Sequence, residues 1–180
     1  MPDFFFRQGP TARPDRESAF ARRELLDEEL TVRDLDAAVQ WLRMETGSAR
    51  VRSLDFCMGG TFALDLASLR DDMVTVSYYG FPLMPPPKPM DLVDELRGPV
   101  LAFWGEDDRG IGPDTVHAYT ARASKANPGF TGEVIPGLGH GFLAAARIDD
   151  AADAGGATWQ RTLTHFADHL GRSSGQDAPS

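Results

Sequence analysis

The feature that most constrains this chain is a corner. Residues 51–56 form a short apolar and β-branched run, Cys57-Met58-Gly59-Gly60 follows at once, and residues 61–69, rich in alanine and leucine, continue as a helical stretch. Strand, tight turn and helix succeed one another with no spare residue, so the backbone must reverse sharply where two glycines let it pass close to its neighbours. The alternation then repeats. Residues 74–79 predict a second strand ended by Gly80, residues 100–104 a third after Gly98-Pro99, and residues 133–135 a fourth. Helices are expected over 31–44, where Val32, Leu35, Val39 and Leu42 recur at spacings of three and four and Gly47 stops the run, and over 91–96, 114–125 and about 158–170. Strands alternating with helices at this spacing predict an α/β fold, a mostly parallel sheet with helices on both faces.

Around that frame the sequence is less ordered. Residues 2–6 read as a short extended piece, Gly9, Pro10 and Pro14 enforce loop, and 15–29 carries a loose helical pattern. Pro82, Pro85, Pro86, Pro87 and Pro89 predict a stiff connection over a sheet edge. The 180 residues suit one domain over 1–170, and the polar tail 171–180 has nothing to bury and is expected to be disordered. Eighteen basic side chains against 27 acidic ones give a net charge of −9, which argues against nucleic acid and against anionic membrane surfaces as partners. Cys57 is the one cysteine, which excludes an internal disulfide and a multi-thiolate metal site. With no leader-like N-terminus and no apolar run of membrane-spanning length, a reducing, cytoplasmic setting is expected.

The chemistry gathers at strand ends. Cys57 stands where a nucleophile elbow would thrust a side chain up at the carboxyl end of the sheet, where the first helical N–H groups favour a thiolate and the Met58 N–H can donate to an oxyanion. A thiol nucleophile needs a base. Of the four histidines, His140 lies in the glycine-rich loop Gly137-Leu138-Gly139-His140-Gly141-Phe142 just past a strand, a place suited to a mobile imidazole. That loop is not a dinucleotide fingerprint, because Phe142 replaces the third glycine and no helix is expected to open there. His165 and His169 share a face of the last helix, but spacing alone makes no metal site, and His117 carries no signal beyond its helix. Glu106-Asp107-Asp108, directly after the third strand, supplies acids to orient the base. Nucleophile, acid and histidine then follow in the chain order of α/β-hydrolases.

Five segments in order carry a resemblance: Pro2-Asp3-Phe4-Phe5-Phe6-Arg7-Gln8, Phe56-Cys57-Met58-Gly59-Gly60, Tyr78-Tyr79-Gly80, Pro99-Val100 through Gly105 to Asp108, and Gly139-His140-Gly141-Phe142. Together they resemble the dienelactone hydrolases, a cysteine branch of the α/β-hydrolases, over most of residues 1–170. The resemblance implies a partial α/β-hydrolase-type sheet, with Cys57 as nucleophile, His140 as base, Asp108 as its partner with Asp107 as fallback, and Arg7 pairing with a substrate carboxylate. It implies an ester or lactone hydrolase for small carboxylate-bearing substrates, working through an acyl-enzyme without metal or organic cofactor. Three departures stand out: Asp55 occupies the place of the family's glycine, Ala144 replaces an arginine for which Arg147 is the nearest substitute, and the chain begins later than the family's. From the last it follows that the strand 51–56 should lie at a sheet edge, open to self-association, and that a weakly active enzyme or a non-catalytic binding module of the same fold is the alternative.

Overall fold

In the computed structural model, which describes residues 2–10, 15–83 and 88–169, four strands lie side by side in chain order. They are β1 (Val51–Phe56), β2 (Met73–Tyr78), β3 (Val100–Gly105) and β4 (Phe130–Ile135), and every neighbouring pair is parallel. Phe56, Tyr78 and Phe103 stand level across the first three strands, so β1, β2 and β3 deliver their following loops to one end of the sheet. The helices are α1 (Arg16–Glu24), α2 (Glu28–Thr46), α3 (Met58–Leu69), α4 (Pro89–Leu92), α5 (Pro113–Ala126) and α6 (Ala154–His169).

Strand alternation sorts the core into two layers. Val100, Ala102 and Trp104 of β3 pack with Leu64 of α3 and Tyr119 of α5, while Leu101 and Phe103 join Val74, Val76 and Tyr78 of β2 against Phe166 of α6. Each fully buried side chain of this size contributes roughly 1.5–3 kcal/mol relative to exposure. β2 and β3 are buried along their whole length, as expected for strands covered on both faces. Two hydrogen bonds match polar groups inside this core: the Trp104 indole N–H donates to the Gly80 carbonyl at 2.8 Å, and the Tyr78 and Thr162 hydroxyls meet at 2.8 Å.

β1 and β4 are the two edges of the sheet. Among the described residues no strand pairs with the outer side of either, and along β1 runs a groove of about 310 Å³, lined by Leu35, Ala38 and Leu42 of α2 and by Val51, Ser53 and Asp55 of β1. The edge expected for this strand is present. No helix among the described residues is long and apolar enough to cross a membrane.

Several boundaries differ from the sequence reading, each for a local reason. Residues 2–6 are not extended: a 3-10 turn forms at Phe6–Gln8, and Phe4 instead packs edge-on against Phe62 of α3, ring centroids 5.3 Å apart. α2 starts three residues early because the Asp27 carboxylate accepts the Leu30 N–H at 2.9 Å, and Gly47 ends it with a left-handed φ of 65°. β2 ends at Tyr78, since Tyr79 turns to a φ of 43°. β4 begins at Phe130, three residues before the apolar signal. A four-residue 3-10 turn, Phe142–Ala145, does open after Gly141, where no helix was expected. Pro85, Pro86, Pro87 and the tail 171–180 lie outside the described residues.

Candidate active site

Cys57 directly follows β1 and is the N-cap of α3, with φ 54° and ψ −121°. A non-glycine residue held there stores on the order of 1–3 kcal/mol of backbone strain. Its surroundings impose the turn. The Cys57 N–H donates to the Tyr78 carbonyl at 2.9 Å, its carbonyl accepts the Thr61 N–H at 3.1 Å, and Gly60 lies so close to β2 that a Cβ there would stand 2.8 Å from Ser77 Oγ and 2.9 Å from the Tyr78 oxygen. Gly80 meets the same crowding from the other side, 2.8 Å from the Gly60 carbonyl carbon.

The acid and the histidine come from two loops locked to one another. Gly105, the last residue of β3, would place a Cβ 2.2 Å from the Leu138 carbonyl oxygen, so only glycine lets the histidine loop cross there. That same carbonyl accepts the Asp107 N–H at 2.9 Å. Asp108 is buried, and its Oδ1 accepts the Gly110 N–H at 3.0 Å. Its Oδ2 lies 2.6 Å from His140 Nδ1, and His140 Nε2 lies 3.2 Å from Cys57 Sγ. A carboxylate can only accept, so Nδ1 carries the proton and Nε2 is left to accept from the thiol. Carboxylate, imidazole and thiol thus stand in one relay.

Burial is the largest influence on the Cys57 thiol and pushes it above its ordinary value, although the Met58 N–H pulls the other way. The Met58 N–H acts in the direction expected of a helix start, favouring the thiolate, and burial opposes it. His140 Nε2, 3.2 Å from the sulfur, is the atom placed to take the thiol proton.

The other residues singled out in the sequence fall as follows. Asp107 is exposed, and it is Asp108 that reaches the imidazole. Arg7 is turned onto α2, where its guanidinium grips Asp34 through two bonds of 3.0 and 2.7 Å. Arg147 pairs with Asp150 and Asp153. Asp55 fits without crowding: its Oδ1 would stand 3.4 Å from a Cβ at Gly59, it accepts from the Ser53 hydroxyl, and burial raises its carboxyl above the usual range. The His165 and His169 rings lie 4.6 Å apart, but no cluster of three metal-ligating side chains exists among the described residues. Sequence reasoning missed the aromatic setting of the imidazole, where Tyr79 and Phe81 approach the His140 ring at 5.0 and 5.1 Å between centroids. The signal was present in Tyr78-Tyr79-Gly80-Phe81, but nothing in it announces a left-handed turn.

A parallel sheet with a strained corner before its longest-buried helix, and an acid and a histidine on the following strand-end loops, is the arrangement of the α/β hydrolases. Residues 1–170 match the model of the dienelactone hydrolase family, and the chain belongs to that family. It is 33% identical over 180 residues to a carboxymethylenebutenolidase of Rhodococcus opacus, covering 94% of this chain and 69% of that protein. It is 32% identical over 157 residues to carboxymethylenebutenolidase 2 of Cupriavidus pinatubonensis, covering 84% of this chain and 64% of that protein. The chain therefore spans about two thirds of the length of these relatives. A crystal structure of a candidate dienelactone hydrolase from Klebsiella pneumoniae superposes with a TM-score of 0.74 at 27% identity, over 92% of this chain and 73% of that one. An esterase of Pyrococcus furiosus, 15% identical with a TM-score of 0.65 over 78% of this chain and 62% of that one, shares the fold.

Proposed function

We propose that the chain hydrolyses ester or lactone bonds through Cys57, His140 and Asp108, and the observation that carries this is the unbroken pair of contacts, 2.6 Å from Asp108 to His140 and 3.2 Å from His140 to Cys57. In the first half of the reaction the thiol proton moves to His140 Nε2 as sulfur attacks the carbonyl carbon. The oxyanion faces the Met58 N–H, and Asp108 stabilises the imidazolium. The tetrahedral adduct collapses to a thioester on Cys57. The departing alkoxide takes the proton from Nε2, and when the substrate is a lactone it stays tethered to the acyl group. Water then attacks the thioester, giving its proton to Nε2, and the released sulfur recovers it.

Small carboxylate-bearing substrates are the class favoured by the similarity to carboxymethylenebutenolidases, whose name denotes a butenolide carrying a carboxymethylene group. Arg7 is the cation proposed to receive the carboxylate, and to do so it must exchange Asp34 for the substrate. A single cysteine kept as a thiol suits a reducing cytoplasm, and no cofactor takes part.

The test is hydrolysis of a panel of aryl esters and unsaturated γ-lactones, with and without a carboxylate, by the chain and its variants. Cys57→Ala is expected to abolish turnover, and His140→Ala and Asp108→Asn to lower kcat about 10²- to 10⁴-fold. His165→Ala and His169→Ala should leave it unchanged. A Cys57→Ala protein that retains the full rate overturns the reading. Bound substrate with no turnover in any form favours the binding-module alternative.

A further inference from the structure

Cys57 and Tyr79 are the two non-glycine residues with positive φ among the described residues, and both stand at the same end of the sheet. Cys57 has an evident reason to be strained. Tyr79 has none in the relay itself, since its hydroxyl forms no hydrogen bond among the described residues, and its backbone reaches a φ of 43° directly after β2. Such conformations persist only where the surroundings over-determine them.

The surroundings here are rigid. The Tyr79 N–H donates to the Phe103 carbonyl at 2.7 Å, the Gly80 carbonyl accepts the Trp104 indole N–H at 2.8 Å, and the Phe81 N–H donates to Thr61 Oγ1 at 2.9 Å. Gly80 is also wedged against Gly60, so the strap 79–81 is pinned both to β3 and to the first turn of α3. The left-handed turn at Tyr79 is what sets its ring, 5% exposed as a residue, against His140 at 5.0 Å between centroids and against Phe142 at 5.4 Å. Phe81, one residue beyond Gly80, meets the same imidazole at 5.1 Å.

The imidazole needs such a support. His140 lies between glycines in a loop where Gly137 and Gly141 take left-handed φ values of 69° and 72°, a backbone with little stiffness of its own. Its Asp108 contact is one hydrogen bond about which the ring can still swing, and the 3.2 Å approach to Cys57 Sγ depends on the direction of that swing.

We infer that Tyr79 is a positioning residue: its ring, delivered by the strained strap at the end of β2, holds the His140 imidazole in the orientation that joins Asp108 to Cys57. The inference rests on the proposed relay. The acting part is the ring, and the hydroxyl is not required.

Alkylation of Cys57 by iodoacetamide, followed from pH 6 to 9.5, tests this without requiring ester turnover. In the native chain His140 assists loss of the thiol proton near neutrality, whereas above pH 9 the free thiolate reacts unaided. Tyr79→Gly, which relieves the strained φ while deleting the ring, is expected to slow alkylation at pH 7 about tenfold and to leave the rate at pH 9.5 within about twofold. Tyr79→Phe should restore the native profile. Thermal melting of each variant separates loss of fold from loss of position, and Tyr79→Asn, which tolerates the left-handed turn, replaces Tyr79→Gly if that protein fails to fold. A native pH profile in the folded ring-less variant overturns the inference, as does a Tyr79→Phe protein impaired as much as Tyr79→Gly. His140→Ala distinguishes the two levels. If it alkylates like the native chain at every pH, the relay itself fails; if it is slow at pH 7 while Tyr79→Gly is not, only the role of Tyr79 falls.

Discussion

The two sides of the candidate site are built differently. On the β3 and β4 side, where β4 is itself an edge strand paired only with β3, the strand-end loops bond to each other: Asp107 to the Leu138 carbonyl, Glu106 to Gly137, Asp108 to Gly110 and His140. On the β1 side Cys57 stands just past an edge strand paired on one side only, with Phe56, 40% exposed, next to it and an apolar groove alongside. His140 and Asp108 are thus held by a closed network, and the Cys57 thiol by a corner that draws its rigidity from β2 and α3. Geometry on the first side depends on close backbone approach. On the second it depends on what covers the edge.

Substitutions can break this contrast, beginning with the largest effect. Gly105→Ala drives a methyl group into the Leu138 carbonyl, and its destabilisation should reach about 3 kcal/mol in urea unfolding, with the His140 loop displaced and hydrolysis lost. Next is Asp65, buried in α3 with neither carboxylate oxygen bonded and its pKa pushed up to about 8 by burial and by Glu28. An aspartate whose folded pKa exceeds its unfolded value of about 3.9 binds its proton more tightly when folded, so stability is highest below that pH and is lost as pH rises through 8. Asp65→Leu should therefore stabilise the chain by on the order of 2–4 kcal/mol, more at pH 8.5 than at pH 6, as read from urea midpoints at the two values.

Smaller effects belong to the edge. Arg70 joins Asp36 of α2 to Asp72 just before β2, and Arg70→Ala should cost about 1–2 kcal/mol in thermal unfolding, since it leaves half-buried carboxylates short of a partner. The Val51 and Cys57 N–H groups point into the ladder, at the Asp72 and Tyr78 carbonyls, so by alternation those of Arg52, Leu54 and Phe56 face the open side. Exposed ladder groups of this kind predict concentration-dependent self-association in sedimentation. Arg52→Pro removes one of the free donors without touching a bond to β2, and it should shift the chain toward monomer at a cost below about 1 kcal/mol. A native chain that stays monomeric at all concentrations would show that the edge is already protected.

How much of this was legible in the sequence follows the same divide. The Cys57 corner was readable because a short run carrying Val51, Leu54 and Phe56, two glycines and a helical pattern leave one local solution. β1 was therefore placed to the residue. Residues 2–6 were misread because an aromatic triplet has β character in isolation, and only the tertiary contact of Phe4 with Phe62 shows where it goes. The choice between Asp107 and Asp108 lay beyond the residues themselves, since both follow β3 and only the crossing of the two loops turns one inward. The grip of Asp34 on Arg7 spans 27 positions, and no local pattern signals it.

The central claim is that Cys57, His140 and Asp108 act as one relay. Its most direct test is rapid-quench mass spectrometry of the Cys57 peptide after mixing the chain with an activated aryl ester. The relay predicts a transient acyl group on the Cys57 sulfur, formed in the native chain and at least about a hundredfold more slowly in His140→Ala. Acylation of Cys57 at the same rate in both proteins, or ester hydrolysis that persists in Cys57→Ala, would contradict it.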